Sequence, residues 1–373
     1  MGPPPAPPVL DPPAAATGAS ALTLTGTAPG ADQVEVSGPT GLAVAPVVAD
    51  AFALAVSLAP NQLNVLHAVA SSALAGKSAA TTAMVIQDGQ PPKVFIDYPP
   101  DGLVIETGTA AGLAVDVAGR VSDVLSGFAG LTVEVNGVAA AVDVGIGTNG
   151  TFFAPGVPLA AESATVLLAV ARDALANEAT ASVSVQHVLA TGPLMSAQGG
   201  NAQSGPVSQE LPLPLVVQVL KGDGSPFAGK LVTFTVSKSD GALAAVPGAS
   251  GKLSLQVATD GAGLARAYWR LGSDAGCGNN RVGVTSKDIA GTLLFCASAT
   301  AAPATQIAIG GGDGQSGEVE SALPLPLSVW VSDGNNPAAG VPVTFTAVQG
   351  LGTVDGAVTT VATTDATGHA QVA

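Results

Sequence analysis

The chain has 373 residues, with 47 glycines, 28 prolines, 3% aromatic and 10% charged residues, and a formal net charge of −15 at pH 7. A globular domain carries about 25% charged residues, so helical bundles and coiled coils lack their raw material here. The 12 scattered Lys and Arg cannot offset an acidic surface that repels phosphate backbones and anionic lipid, so neither nucleic acid nor a membrane surface is an expected partner.

At roughly 100–200 residues per domain, the length predicts two to four domains. The proline-rich opening, residues 1–13, reads as a linker. It lacks the basic and apolar segments of a secretory signal, so either the chain is cytoplasmic or its true start lies upstream. Period-2 alternation bounded by turn residues then marks strands at 21–27, 33–36, 52–58 and 65–71. Mean hydropathy is positive, yet the longest uncharged run, Ala51 to Gly76, carries Pro60, Asn61, Gln62 and Asn64 at its centre. It reads as two strands about a turn rather than a spanning helix. The run from Ile289 to Gly312 is broken by Gly291, Pro303 and Gln306 in the same way. Leu131 to Val135, Asn136-Gly137 and Val138 to Val142 have the form of a two-residue hairpin. Further strands are expected at 164–170, 180–185, 217–219 and 231–236.

Self-similarity is the strongest architectural signal in the chain. Gln203-Ser204-Gly205 and the Leu-Pro-Leu-Pro-Leu segment 211–215 recur as Gln315-Ser316-Gly317 and 323–327, a shift of 112 residues from 203 to 315. Val232-Thr233-Phe234-Thr235 recurs as Val343-Thr344-Phe345-Thr346, and Asp260 with Gly263 recurs as Asp365 with Gly368. The shift falls at each step, as loop deletions would make it. The second copy stops where the first has roughly thirty residues still to come, so a continuation past Ala373 is expected. Steps containing Gly or Pro at 89–92, 190–193 and 301–303 divide the chain into a linker (1–13) and four units (14–90, 91–192, 193–302 and 303–373, the last cut short). The complete units have the size of an immunoglobulin-like sandwich.

The third and fourth units resemble bacterial immunoglobulin-like domains of the invasin/intimin type. The resemblance rests on Gln203-Ser204-Gly205, the Leu-Pro alternation, Val232 to Thr235, Thr259 to Gly263, Trp269 to Gly272 and Gly278 to Val282. The second unit, with Val121-Ser122-Asp123, Val133 to Gly137, Gly150-Thr151-Phe152 and Asp173 to Asn177, is similar to the modules of bacterial surface proteins and glycosidases. The first is similar to such folds only generically. The resemblance implies an all-β chain of tandem immunoglobulin-like β-sandwiches. Its implied role is a non-catalytic, extended stalk or adhesive spacer, extracellular or at the cell surface, facing a protein or glycan on another surface. An accessory region of a large secreted polysaccharide-acting enzyme is the alternative. At about 3.3 Å per strand residue, one unit spans about 30–40 Å and the array about 100–150 Å.

Residues able to carry chemistry are few. Cys277 and Cys296 lie on neighbouring strands of the third unit, and an antiparallel pairing that joins them in a disulfide is expected, with two half-buried thiols as the alternative. Two cysteines leave a zinc site two ligands short. His67, His187 and His369 fall in three different units, so no triad forms locally. Asp97 and Asp101 flank a Tyr-Pro-Pro turn and read as solvated turn residues. Gly310 to Gly317 lacks the Gly-Lys-Ser/Thr ending of a phosphate loop. Asp123, Asp173 and Asn177 have the oxygen ligands and loop placement for Ca²⁺ at one end of the second unit, but ordinary turn caps account for them as well. No metal and no cofactor is expected. Trp269 reads as core, whereas Trp330 falls on the face opposite Leu327, Val329 and Val331 and is the candidate contact surface.

Overall fold

The computed structural model describes residues 3–109, 113–145, 149–317, 319 and 321–373; Met1 and Gly2 of the proline-rich opening lie outside them. Among the described residues the regular structure is entirely β, and no helix is long and apolar enough to cross a membrane.

The first unit contains β1 (Val9–Leu10), β2 (Ala16–Thr17), β3 (Ala21–Thr27), β4 (Gln33–Gly38), β5 (Gly41–Pro46), β6 (Ala51–Ser57), β7 (Gln62–Ser72) and β8 (Gly76–Gln87). One sheet has the order β1-β3-β6 and the other β2-β8-β7-β4-β5. The second unit contains β9 (Lys93–Tyr98), β10 (Leu103–Thr107), β11 (Ala114–Ser122), β12 (Thr132–Val135), β13 (Val138–Ala139), β14 (Ala141–Val144), β15 (Gly150–Pro158), β16 (Ala164–Arg172) and β17 (Glu178–Leu189). Its sheets are β9-β11-β15-β14 and β10-β17-β16-β12-β13. Two antiparallel sheets divided in this way, with strand order A-B-E(-D) against A′-G-F-C-C′, make an immunoglobulin-like sandwich. Its mark in each of the first three units is a short second strand that runs parallel to the last one, as β2 does to β8 and β10 to β17.

The third unit contains β18 (Leu194–Gly199), β19 (Gln203–Pro206), β20 (Leu215–Leu220), β21 (Leu231–Lys238), β22 (Ala242–Ala244), β23 (Ser254–Ala258), β24 (Leu264–Arg270), β25 (Gly276–Ser286) and β26 (Ile289–Thr300). Here the chain crosses after β21 to pair β22 with β24, then returns to pair β23 with β21. The fourth has β27 (Gln306–Gly311), β28 (Leu327–Ser332), β29 (Pro342–Thr346), β30 (Thr359–Thr363) and β31 (His369–Val372), in sheets β27-β28-β31 and β29-β30.

Alternation explains the cores. In β6, Phe52, Leu54 and Val56 point inward and the residues between them are exposed. The third core is the largest, built on Trp269, Phe234, Phe295, Leu215 and Leu243. Burying each such side chain contributes about 1.5–3 kcal/mol before entropy is counted. The fourth core holds only Val331, Ala338, Val343 and Ala370, because β29 has β30 on one side and no counterpart of β25 on the other among the described residues.

Two local expectations change. Residues 1–13 are not all linker: Leu10 pairs with Gly26 and Val9 with Thr27, so this segment supplies the first strand. Gly26 permits the approach, since a Cβ there would strike the Val9 carbonyl. Asn136 and Gly137 do turn a hairpin with positive φ at both (47° and 82°), as a type I′ turn requires. The returning strand, however, ends at Ala139. Residues 141–144 cross to the other sheet and pair with β15.

Candidate functional site: the junctions between units

Several buried polar residues lie where units meet. Between units one and two, Asp88 follows β8, Asp123 follows β11 and Asp173 follows β16, and all three are buried. Asp123 Oδ1 accepts from the amides of Leu125 (2.9 Å) and Ser126 (3.1 Å), and Oδ2 from the Ser126 hydroxyl (2.8 Å). Asp173 Oδ1 accepts from the Leu175 (2.9 Å) and Asn177 (2.8 Å) amides. Asn177 Nδ2 donates to Asp173 Oδ2 at 2.8 Å and to the Asp88 carbonyl at 3.4 Å, crossing the junction. Asp123 and Asp173 thus meet at one end of unit two, as expected, but their third neighbour is Asp88. Asn177 turns its amide nitrogen inward rather than its oxygen. Nothing within either unit's sequence signals Asp88, because it arrives from the unit before.

Units two and three meet sheet face to sheet face. Ala118 of β11 and Phe153 of β15 form a buried cluster with Cys296 and, around it, Cys277 and Leu294. The fit depends on Gly278 (φ 56°), where a Cβ would lie 2.7 Å from Phe153 Cδ2 and 3.3 Å from the Ala118 Cβ. Around this centre, Asn201 donates to Asp116 Oδ2 (2.6 Å) and Lys238 Nζ lies 3.7 Å from Asp97 Oδ2. Asp97 also pairs with Arg120 at 3.0 Å. Burial lowers the pKa of Arg281, whose Nε donates to the Gly278 carbonyl (3.1 Å), and raises that of Tyr98. This lateral packing replaces the expected end-to-end arrangement at this junction.

Between units three and four, Asn336 acts as a clasp. Its Oδ1 accepts from the Ala275 amide (2.7 Å), and its Nδ2 donates to the Ser273 carbonyl and to Asp333 Oδ2 (both 2.9 Å). Asn335 adds a bond to Asp274 Oδ1 at 3.0 Å.

Cys277 and Cys296 are both free, which corrects the expected disulfide. The register explains it: Cys296 faces Arg281, and Cys277 falls in the irregularity between the pairs Gly276–Ala299 and Asn280–Ala297. Burial pushes both thiols up to about 12; the charge of Asp143 adds to the effect at Cys277. Trp330 is half-buried with its ring 4.7 Å from His369, its cross-strand partner, while Trp269 is fully buried. His187 is also buried: the Glu162 amide donates to its Nδ1 and Nε2 contacts Thr107 Oγ1, each at 2.8 Å, which places the ring proton on Nε2. Asp101 caps the Ser184 amide at 2.8 Å.

No family model matches the chain, and no curated protein matches it. Similar solved structures include a three-immunoglobulin-domain segment of titin (12% identity, TM-score 0.32, covering 79% of this chain and 98% of that one). A Ca²⁺-stabilised adhesin by which an Antarctic bacterium binds ice gives 18% identity and a TM-score of 0.24, covering 96% and 87%. A tetra-tandem repeat from the extending region of a large adhesion protein gives 17% and 0.23, covering 97% and 88%.

Proposed function

We propose that the chain is a non-catalytic spacer and adhesive array of a bacterial surface or secreted protein, with its third and fourth units of the invasin/intimin type. What carries this reading is a set of polar side chains that bond across junctions: Asn177 to the Asp88 carbonyl, Asn201 to Asp116, and the buried Asn336 to Ala275 and Ser273. A chain that spends polar side chains on fixing one unit against the next is suited to hold a shape under load. The partner is a protein or glycan on another surface, and Trp330 is the proposed contact residue. Neither nucleic acid nor inserted membrane belongs to this reading, given the net charge of −15.

Small-angle scattering and single-molecule pulling on the full chain test it. A concentration-independent profile fitted by one rigid shape, with successive unfolding events under force, is the expected result. Scattering of freely jointed units overturns the spacer role. Turnover of polysaccharide by the purified chain overturns the non-catalytic assignment. Unchanged surface binding by Trp330→Ala removes that residue from the contact.

A further inference from the structure

At the junction of units one and two, the carboxylates of Asp88, Asp123 and Asp173 each offer an oxygen within 4.8 Å of the others. Their relative exposures are 0%, 4% and 5%. No Lys or Arg pairs with any of them among the described residues. Asp123 and Asp173 are oriented by amides and a hydroxyl, which hold the carboxylates in place without supplying a countercharge. Asp88 differs. Its Oδ1 accepts from the Gln90 amide at 2.9 Å, but its Oδ2 is buried with no hydrogen-bond partner at all. A buried carboxylate oxygen without a donor is costly, and placing it beside two further buried carboxylates adds like-charge repulsion. One bound cation removes both costs.

We propose that these three aspartates form a Ca²⁺ site that ties unit one to unit two. The donor set is all oxygen and all anionic, with no His or Cys, which suits a hard divalent cation over a transition metal. Ca²⁺ holds oxygens at about 2.3–2.6 Å in a flexible shell, so two ligands across it lie up to about 5.2 Å apart. Three carboxylate oxygens all within 4.8 Å of one another can share one such shell. Mg²⁺ demands a near-ideal octahedron at about 2.0–2.1 Å, a geometry that carboxylates already pinned by their own amides are less free to build. Water completes the shell. The ligands come from the end of β8, the loop after β11 and the loop after β16, three points far apart in sequence. An ion held by all three fixes the angle between units one and two, independently of what the array binds.

The test is equilibrium dialysis of the full chain, stripped with EGTA, against CaCl₂ or MgCl₂, together with thermal unfolding in each. We expect one Ca²⁺ per chain, bound about tenfold or more tighter than Mg²⁺, and a Tm that rises with Ca²⁺. Asp88→Asn, which loses no hydrogen bond donated to Oδ2, loses about tenfold or more in Ca²⁺ affinity. Its Tm in EGTA equals or exceeds that of the wild type, because one of three repelling charges is gone. No bound calcium and an unmoved Tm in millimolar CaCl₂ overturn the site, as does wild-type affinity in Asp88→Asn. Equal binding of Mg²⁺ overturns the assignment to calcium. Should Asp88→Asn not fold, the wild-type stoichiometry and the Mg²⁺ comparison decide alone.

Discussion

Gln203 grips Leu213 by both of the leucine's backbone polar groups: its Nε2 donates to the Leu213 carbonyl at 2.9 Å and its Oε1 accepts from the Leu213 amide at 3.0 Å. Gln315 does the same to Leu325, at 2.8 and 2.7 Å. Each glutamine also donates to the carbonyl of a left-handed glycine, Gly200 or Gly312, at 2.8 Å. Glycine is required there, since a Cβ at either position would strike the carbonyl of Pro214 or Pro326. The prolines leave every second residue of the Leu-Pro segment without an amide, so the glutamine supplies the pairing that a neighbouring strand cannot. The repeated Gln-Ser-Gly and Leu-Pro motifs are two halves of one clamp.

Gln203→Ala is expected to cost about 0.5–1.5 kcal/mol in unit three, because it removes the clamp on Leu213 and water takes its place at an exposed site. Denaturant unfolding followed by fluorescence of the buried Trp269 measures it. The matching Gln315→Ala should leave that transition where it is.

At the face between units two and three, Gly278→Val is expected to separate the units. Its side chain must displace Phe153, a packing cost of about 1–3 kcal/mol or more once the positive φ is included. Scattering should report a longer, more flexible particle with the individual sandwiches still folded. An unchanged profile would sink the lateral packing.

Two thiols should be titrated per chain under non-reducing denaturation, and none at pH 8 in the native state, since burial pushes Cys277 and Cys296 up to about 12. Replacing both by Ser should leave the covalent state unchanged. A denatured count of zero would restore the disulfide.

Asp240 is held below the ordinary carboxylate pKa chiefly by the Ser273 amide, which donates to its Oδ1 at 2.6 Å, with the Ser273 hydroxyl helping against burial. A group whose folded pKa is depressed adds stability that is present above its unfolded pKa, ordinarily 3.8, and lost as pH falls through the folded value. Asp240→Asn should therefore be less stable than wild type at neutral pH. The two Tm curves should converge as the pH falls through the depressed folded pKa of Asp240. A gap that persists at low pH would show that Asp240 acts through geometry alone.

The strands were legible because their signal is local. Phe52, Leu54 and Val56 alternate with small residues, Asn136-Gly137 names its turn, and the repeated Gln203 and Gln315 motifs announce equal units, so an all-β chain of immunoglobulin-like sandwiches follows from residues a few positions apart. The junctions were not legible. The two cysteines sit on paired strands, yet an irregularity of register keeps them from facing one another, and no spacing count reveals a bulge. Asp88 joins Asp123 and Asp173, and Gly278 meets Phe153, only after separate sandwiches have closed and docked. Alternation and turn chemistry act over neighbouring residues and are written in the sequence. Which outer faces meet, and which charges are buried between them, depends on surfaces that exist only once each sandwich has folded.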